Sequence, residues 1–164
     1  MTSILERAEE QCAELEEAML RLRAAEVPPV EVKGESVHAA LLDVRARLDL
    51  AEELKVQARR LRRQFRARAA ERLRERDEEY DRRLAEYAKG AVRREYESVR
   101  EREVRARLDV LELTRQANAA ADVRARVEEM FESLTDMFFG LLNIREELIA
   151  RLRELQFETV LERG

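Results

Sequence analysis

Between Lys55 and Arg74 the chain places nine Lys or Arg and one acid, Glu71, in the stretch KVQARRLRRQFRARAAERLR. Its net +8 leaves −12 for the rest of a chain whose formal total is −4. Guanidinium groups fork onto phosphate oxygens bidentately, so a dense set of arginines suits ion pairing with a polyphosphate backbone. The candidate nucleic-acid ligands are Lys55, Arg59, Arg60, Arg62, Arg63, Arg66 and Arg74. On a helix, Arg59, Arg62, Arg63, Arg66 and Arg74 populate one broad side, opposite Leu61, Phe65 and Leu73. Phe65 has core spacing, whereas Tyr80, Tyr87 and Tyr96 are candidates for stacking on unpaired bases. Acidic runs such as ERDEEYD stand beside the basic ones, so salt bridges are the competing fate of the charge.

Catalysis finds little to work with. His38 is the one histidine and Cys12 the one cysteine, so a nucleophile and base pair has a single histidine to draw on. Glu35-Ser-Val-His38 matches the Glu-x-x-His spacing of di-iron bundles, yet that site needs two such motifs and further carboxylates. Pairs such as Glu78/Glu79 and Glu146/Glu147 are what solvated faces of an acidic chain carry. A Gly-rich phosphate loop and a Cys/His zinc cluster are both missing from the sequence. The expectation is a non-enzyme with no cofactor and no metal site.

The elements that position these residues are helices. Charged residues make up 41% of the 164, Gly numbers four, Pro two and Trp none, a composition of long helices or coiled coil rather than sheet. Ser3-Ile-Leu-Glu6 has capping-box spacing, and Ala8, Cys12, Leu15, Met19 and Leu22 follow at helical steps. This predicts an acidic amphipathic helix over 1–26, separable as an arm because EVPPVEVKGES makes 27–36 a linker. From Val37 helical spacing resumes through Leu41, Val44, Leu48, Ala51, Leu54, Ala58, Leu61, Phe65, Ala69 and Leu73. Gly90 marks a turn near 88–91. The firmest repeat comes last, with Val123, Val127, Met130, Leu134, Met137, Leu141, Ile144 and Leu148 stepping by four and three, and Phe131 and Phe138 on a neighbouring flank. A stripe that wide needs more than one partner, so these ten residues are the expected oligomerisation surface. The expected fold is all-α, a long antiparallel helical hairpin or coiled coil over 37–160 with a short N-terminal arm, assembled beyond a dimer.

One cysteine permits no intrachain disulfide, the N-terminus is acidic, and no apolar window approaches the ~20 residues of a membrane span, so a cytoplasmic location is expected.

The segment YESVREREVRARLDVLELTRQANAAADVRARVEEMFESLTDMFFGLLNIREELIARL resembles the UvsY-type recombination mediators of tailed phages. There a charged, Ala-rich helix leads into an apolar one with an arginine near its end. The corresponding features are Asp122, the apolar series Met130–Leu142, and Arg145 followed by Leu148 and Ile149. Upstream, LDLAEELKVQARRLRRQFRARAAERL resembles the basic helix of that family, and the likeness spans about 37–160 without reaching the arm or linker. The resemblance implies a ring-forming protein that binds single-stranded DNA through Lys55, Arg59, Arg60, Arg62, Arg63 and Arg66. It further implies assembly through the helix over 123–155, displacement of a single-strand-binding protein and loading of a RecA-type recombinase. In a phage-encoded protein the location is the host cytoplasm. The rival expectation is a coiled-coil scaffold or phage assembly adaptor without nucleic-acid binding, whose acidic arm recruits a protein. A peripheral membrane helix is a third reading, for which Leu61, Phe65 and Leu73 offer a thin apolar face. With a net charge of −4 over 1–26, the arm is also a candidate competitor for the basic stretch.

Overall fold

The structure, a computed structural model, describes residues 4–24, 34–89 and 98–162. Four helices account for nearly all of them: α1 (Ile4–Ala24), α2 (Gly34–Ala88), α3 (Val99–Asp109) and α4 (Leu111–Glu162). The fold is all-α, as composition and periodicity predict. Ser3, the prolines of the linker, Gly90 and Tyr96 lie outside the described residues.

Chain segments gather into two compact units. The first comprises 1–61 and 128–164, and so holds α1, the first half of α2 and most of α4. Val37, Val44, Ala51 and Ala58, spaced by seven, are all fully buried on α2. Leu134, Leu141 and Leu148, also spaced by seven, are buried on α4. Repeats of seven keep one seam of a helix facing inward over many turns. In place of Leu41, Ala40 is the buried neighbour in the first turns of α2, and Leu41 is half-buried. Lys55 of α2 lies over Phe138 of α4.

α1 is a packed member of this unit rather than an arm held away from it. Cys12, Leu15, Met19 and Leu22 are buried, and Arg23 donates a 2.7 Å hydrogen bond to the Ser133 hydroxyl on α4. A 21-residue amphipathic helix is marginal alone; here its apolar stripe is covered.

The second unit, 62–127, holds the rest of α2, α3 and the first turns of α4. Its interior is built from small residues: Ala69, Ala106, Ala117 and Ala120 are buried with Val110 and Val127, and Phe65 is the one large side chain among them. Leu73, expected in this stripe, is 45% exposed. α3 opens on a capping box: the Ser98 hydroxyl accepts from the Glu101 amide at 3.0 Å, and the Glu101 carboxylate accepts from the Ser98 amide at 3.2 Å. A turn at Val110 (φ −99°, ψ 12°) separates α3 from α4, although neither Gly nor Pro stands there. Its amide still donates to Ala106 and its carbonyl accepts from Thr114, so the interruption is limited to one residue.

Candidate nucleic-acid interface

α2 runs without a break through the basic stretch, since its sequence between Gly34 and Ala88 has no Pro and no internal Gly. In the first unit Arg59 and Arg60 are exposed. At 3.6 residues per turn they lie roughly 100° and 200° around the helix from buried Ala58. In the second unit Arg63, Arg66 and Arg74 are exposed as well. There Arg63 and Arg74 point roughly 160–180° away from buried Phe65, and Arg66 about 100° away. Arg59, Arg60, Arg63 and Arg66 face solvent because Ala58, Leu61 and Phe65 of their own turns are inward; Arg74 is exposed beside an exposed Leu73.

The other two candidates are placed differently. Lys55 is half-buried, with Nζ 4.1 Å from the ring centroid of Phe138 and 5.8 Å from that of Phe139. Its ammonium rests against aromatic faces, so it is a weaker phosphate ligand than the exposed arginines. Arg62 is half-buried beside the core seam.

The salt-bridge reading applies to one part of α2. Arg72 pairs with Glu75 at 2.8 Å, Arg76 with Asp77 at 2.5 Å, and Arg83 with both Glu79 at 2.9 Å and Glu86 at 3.3 Å. Arg82 also pairs with Glu79. The hydrogen bond from Arg82, reinforced by Arg83, holds the Glu79 carboxyl below its usual range, and Glu79 in turn raises the Arg83 pKa. Other arginines of α2 are left out of this pairing: among the described residues no ion-pair partner meets Arg59, Arg60 or Arg63, nor Arg74, which stands between Arg72 and Arg76. Their charge is left to solvent or to a ligand.

The aromatic candidates divide too. Phe65 is core, as its spacing predicts. The Tyr87 hydroxyl donates to Asp109, which also lies 3.8 Å from Arg105, tying the end of α2 to the end of α3. That bond to a carboxylate, with partial desolvation, raises the Tyr87 pKa. Tyr80 is half-buried and lines a groove of about 420 Å³ with Arg76, Arg107 and Thr114. Arg107 was not among the expected ligands; the alternation of Arg and acid in VREREVRARLD hid it, because nothing in that pattern distinguishes a paired arginine from an exposed one.

The residues expected to mediate self-association are in part covered within the single chain. Val127, Met130, Leu134, Leu141 and Leu148 are already buried within a single chain, so their apolar area is not available to a second copy. The reason is that α1 and α2 supply the partners the wide stripe requires. Val123, Phe131, Met137, Phe138 and Ile144 are half-buried.

A wider groove of about 630 Å³ lies in the first unit, with Leu41, Leu42, Leu48, Phe138, Leu142 and Ile149 as its apolar lining. His38, Arg45 and Arg145 and the acids Asp49 and Glu52 complete it. Arg145 pairs with Glu146 through Nη2 at 2.8 Å, while its Nε is buried and has no hydrogen-bond partner among the described residues. His38 is exposed. Among the described residues no group of three His, Cys, Asp or Glu is arranged to hold a metal ion, and no helix is long and apolar enough to cross a membrane.

Comparison with known proteins finds no matching family model, no similar curated protein and no similar solved structure.

Proposed function

We propose that the chain is a non-catalytic, single-stranded-DNA-binding accessory protein of recombination that acts as a homo-oligomer in the cytoplasm. The observation that carries this reading is the contrast along α2: Arg72, Arg76, Arg82 and Arg83 are each paired with a neighbouring acid, while Arg59, Arg60, Arg63 and Arg74 are exposed with no ion-pair partner among the described residues. A charge distribution of that kind suits a phosphate backbone, and recognition of this type is independent of sequence. The role as a mediator that displaces a single-strand-binding protein and loads a RecA-type recombinase rests on the resemblance to UvsY-type proteins. So does the arrangement of α2 against α3 and α4 as one long helical hairpin repeated in a ring.

Fluorescence anisotropy with a labelled single-stranded oligonucleotide across a salt series tests the reading. Four phosphate contacts per chain give a slope of log K against log salt of about −3 for a single strand. Changing Arg59, Arg60, Arg63 and Arg74 to Glu removes binding, with helicity and mass unchanged. Absence of binding to the wild-type chain at low salt rejects the proposal in favour of a coiled-coil scaffold. Binding that survives the quadruple substitution moves the site elsewhere.

A further inference from the structure

The last turns of α4 carry an apolar stripe that is exposed among the described residues. Phe157, Val160 and Leu161 are 70%, 71% and 70% exposed. Their i, i+3, i+4 spacing puts them on one side of the helix, the arrangement with which an amphipathic helix enters a groove. The same unit contains such a groove, walled by Leu41 and Leu42 of α2 and by Phe138, Leu142 and Ile149 of α4. Leu42 is 69% exposed there. The stripe and the groove cannot meet within one chain. Both lie on α4, which is one unbroken helix to Glu162, and Phe157 stands about 12 Å beyond Ile149 along its axis. A second copy is the source of the missing helix that needs no other partner.

Charge gives the docking a direction. Along α2 the groove is basic at its start, with Arg45 near Arg145 of α4, and acidic at its end, with Asp49 and Glu52. Lys55, just past Glu52, sits over Phe138, so the acidic end of the groove is the end where α4 enters it. The C-terminal segment has a related polarity: Arg151 and Arg153 come first, then Glu154, Glu158 and Glu162, with Arg163 following. Arg151 is held to Glu154 at 3.0 Å, while Glu158 lies between Phe157 and Val160 of the stripe and Glu162 comes directly after Leu161. The Arg145 side chain, partly exposed where it lines the groove, is a cation suited to such a carboxylate.

We propose that the Phe157–Leu161 stripe of one copy docks in the groove between α2 and α4 of the next, running parallel to the host α4 and displaced by about 20 Å along it. Residues that give and residues that receive are then different surfaces. The contact is heterologous, and each added copy leaves one free groove and one free stripe, so association grows head to tail until it closes. This assigns the contact to residues outside the heptad seam. It shares with the preceding section only the premise that copies associate, and oligonucleotide anisotropy on the same samples distinguishes failure of one from failure of the other.

Sedimentation of the full chain and of two variants tests the proposal. Phe157→Asp with Leu161→Asp spoils the stripe, and Leu42→Arg blocks the groove; all three positions are exposed in the single chain, so circular dichroism and melting stay near wild type. At about 100 µM, where contacts of micromolar Kd are populated, the wild type assembles and each variant is monomeric. Mixing the two variants restores one discrete complex of two chains, because one retains a groove and the other a stripe. Glu158→Arg, which leaves the stripe intact, weakens wild-type association about tenfold. A monomeric wild type, variants that assemble like it, or a mixture that stays monomeric each overturns the proposal.

Discussion

The ammonium of Lys55 lies 4.1 Å from the ring centroid of Phe138, joining the most N-terminal cation of the basic stretch to the apolar run of α4. A cation over an aromatic face contributes about 0.5–1 kcal/mol at partly exposed sites. A double-mutant cycle with Lys55→Met and Phe138→Leu, read by urea denaturation, is expected to give a coupling of that size. Lys55→Met is also expected to leave oligonucleotide affinity within about twofold of wild type, since one phosphate contact at most is lost.

Helical spacing gives Phe65 and Leu73 equal places in one stripe, and the structure separates them. Phe65 is 1% exposed and the one bulky side chain in an alanine interior, whereas Leu73 is 45% exposed. Phe65→Ala is expected to cost about 3–5 kcal/mol. Leu73→Ala stays within about 0.5 kcal/mol. Comparing the two denaturation midpoints checks the contrast.

Gly140 sits inside α4 with open space where a Cβ would project. Glycine in a helix interior is less favourable than alanine by about 1 kcal/mol. Gly140→Ala is therefore expected to stabilise by up to about that amount, measured as a rise in denaturation midpoint.

Tyr87 predicts a pH effect whose sign follows from its partner. As the neutral phenol it donates to Asp109, and its pKa in the folded chain is raised. The stability it contributes is complete below the unfolded phenol pKa and is lost as pH rises through the folded one. Denaturant midpoints followed from about pH 8 to pH 11 are expected to fall more in wild type than in Tyr87→Phe, which has no phenol to ionise.

Where burial follows spacing, the fold was legible. Val44, Ala51 and Ala58, and likewise Leu134, Leu141 and Leu148, are inward as their repeat predicts. Harder to see was which apolar residue beside the repeat turns inward: Ala40 rather than Leu41 is buried, and both positions fit a helical step from Val37 and Val44. The packing of α1 brings Arg23 to Ser133, 110 positions away, and no local pattern encodes such a meeting. The capping box at Ser98 and Glu101 was in plain view as Ser-Val-Arg-Glu, hidden only by the many other serine and acid pairs of a charged chain. The break at Val110 had no breaker residue to announce it. For the basic stretch, residue types were readable, but their partners were not. Arg72 and Arg74 look alike in sequence, and only the first has a carboxylate at 2.8 Å.

The alanines of the second unit carry a consequence for how the sequence can drift. Ala69, Ala106, Ala117 and Ala120 are buried, and longer side chains inserted into a packed interior force neighbours to shift at a cost of about 1–3 kcal/mol. In a saturation-mutagenesis screen for folded protein, these four inconspicuous positions should be among the least replaceable. The abundant charged residues around them should exchange freely, so the chemistry of the surface is open to change while the smallest residues hold the architecture in place.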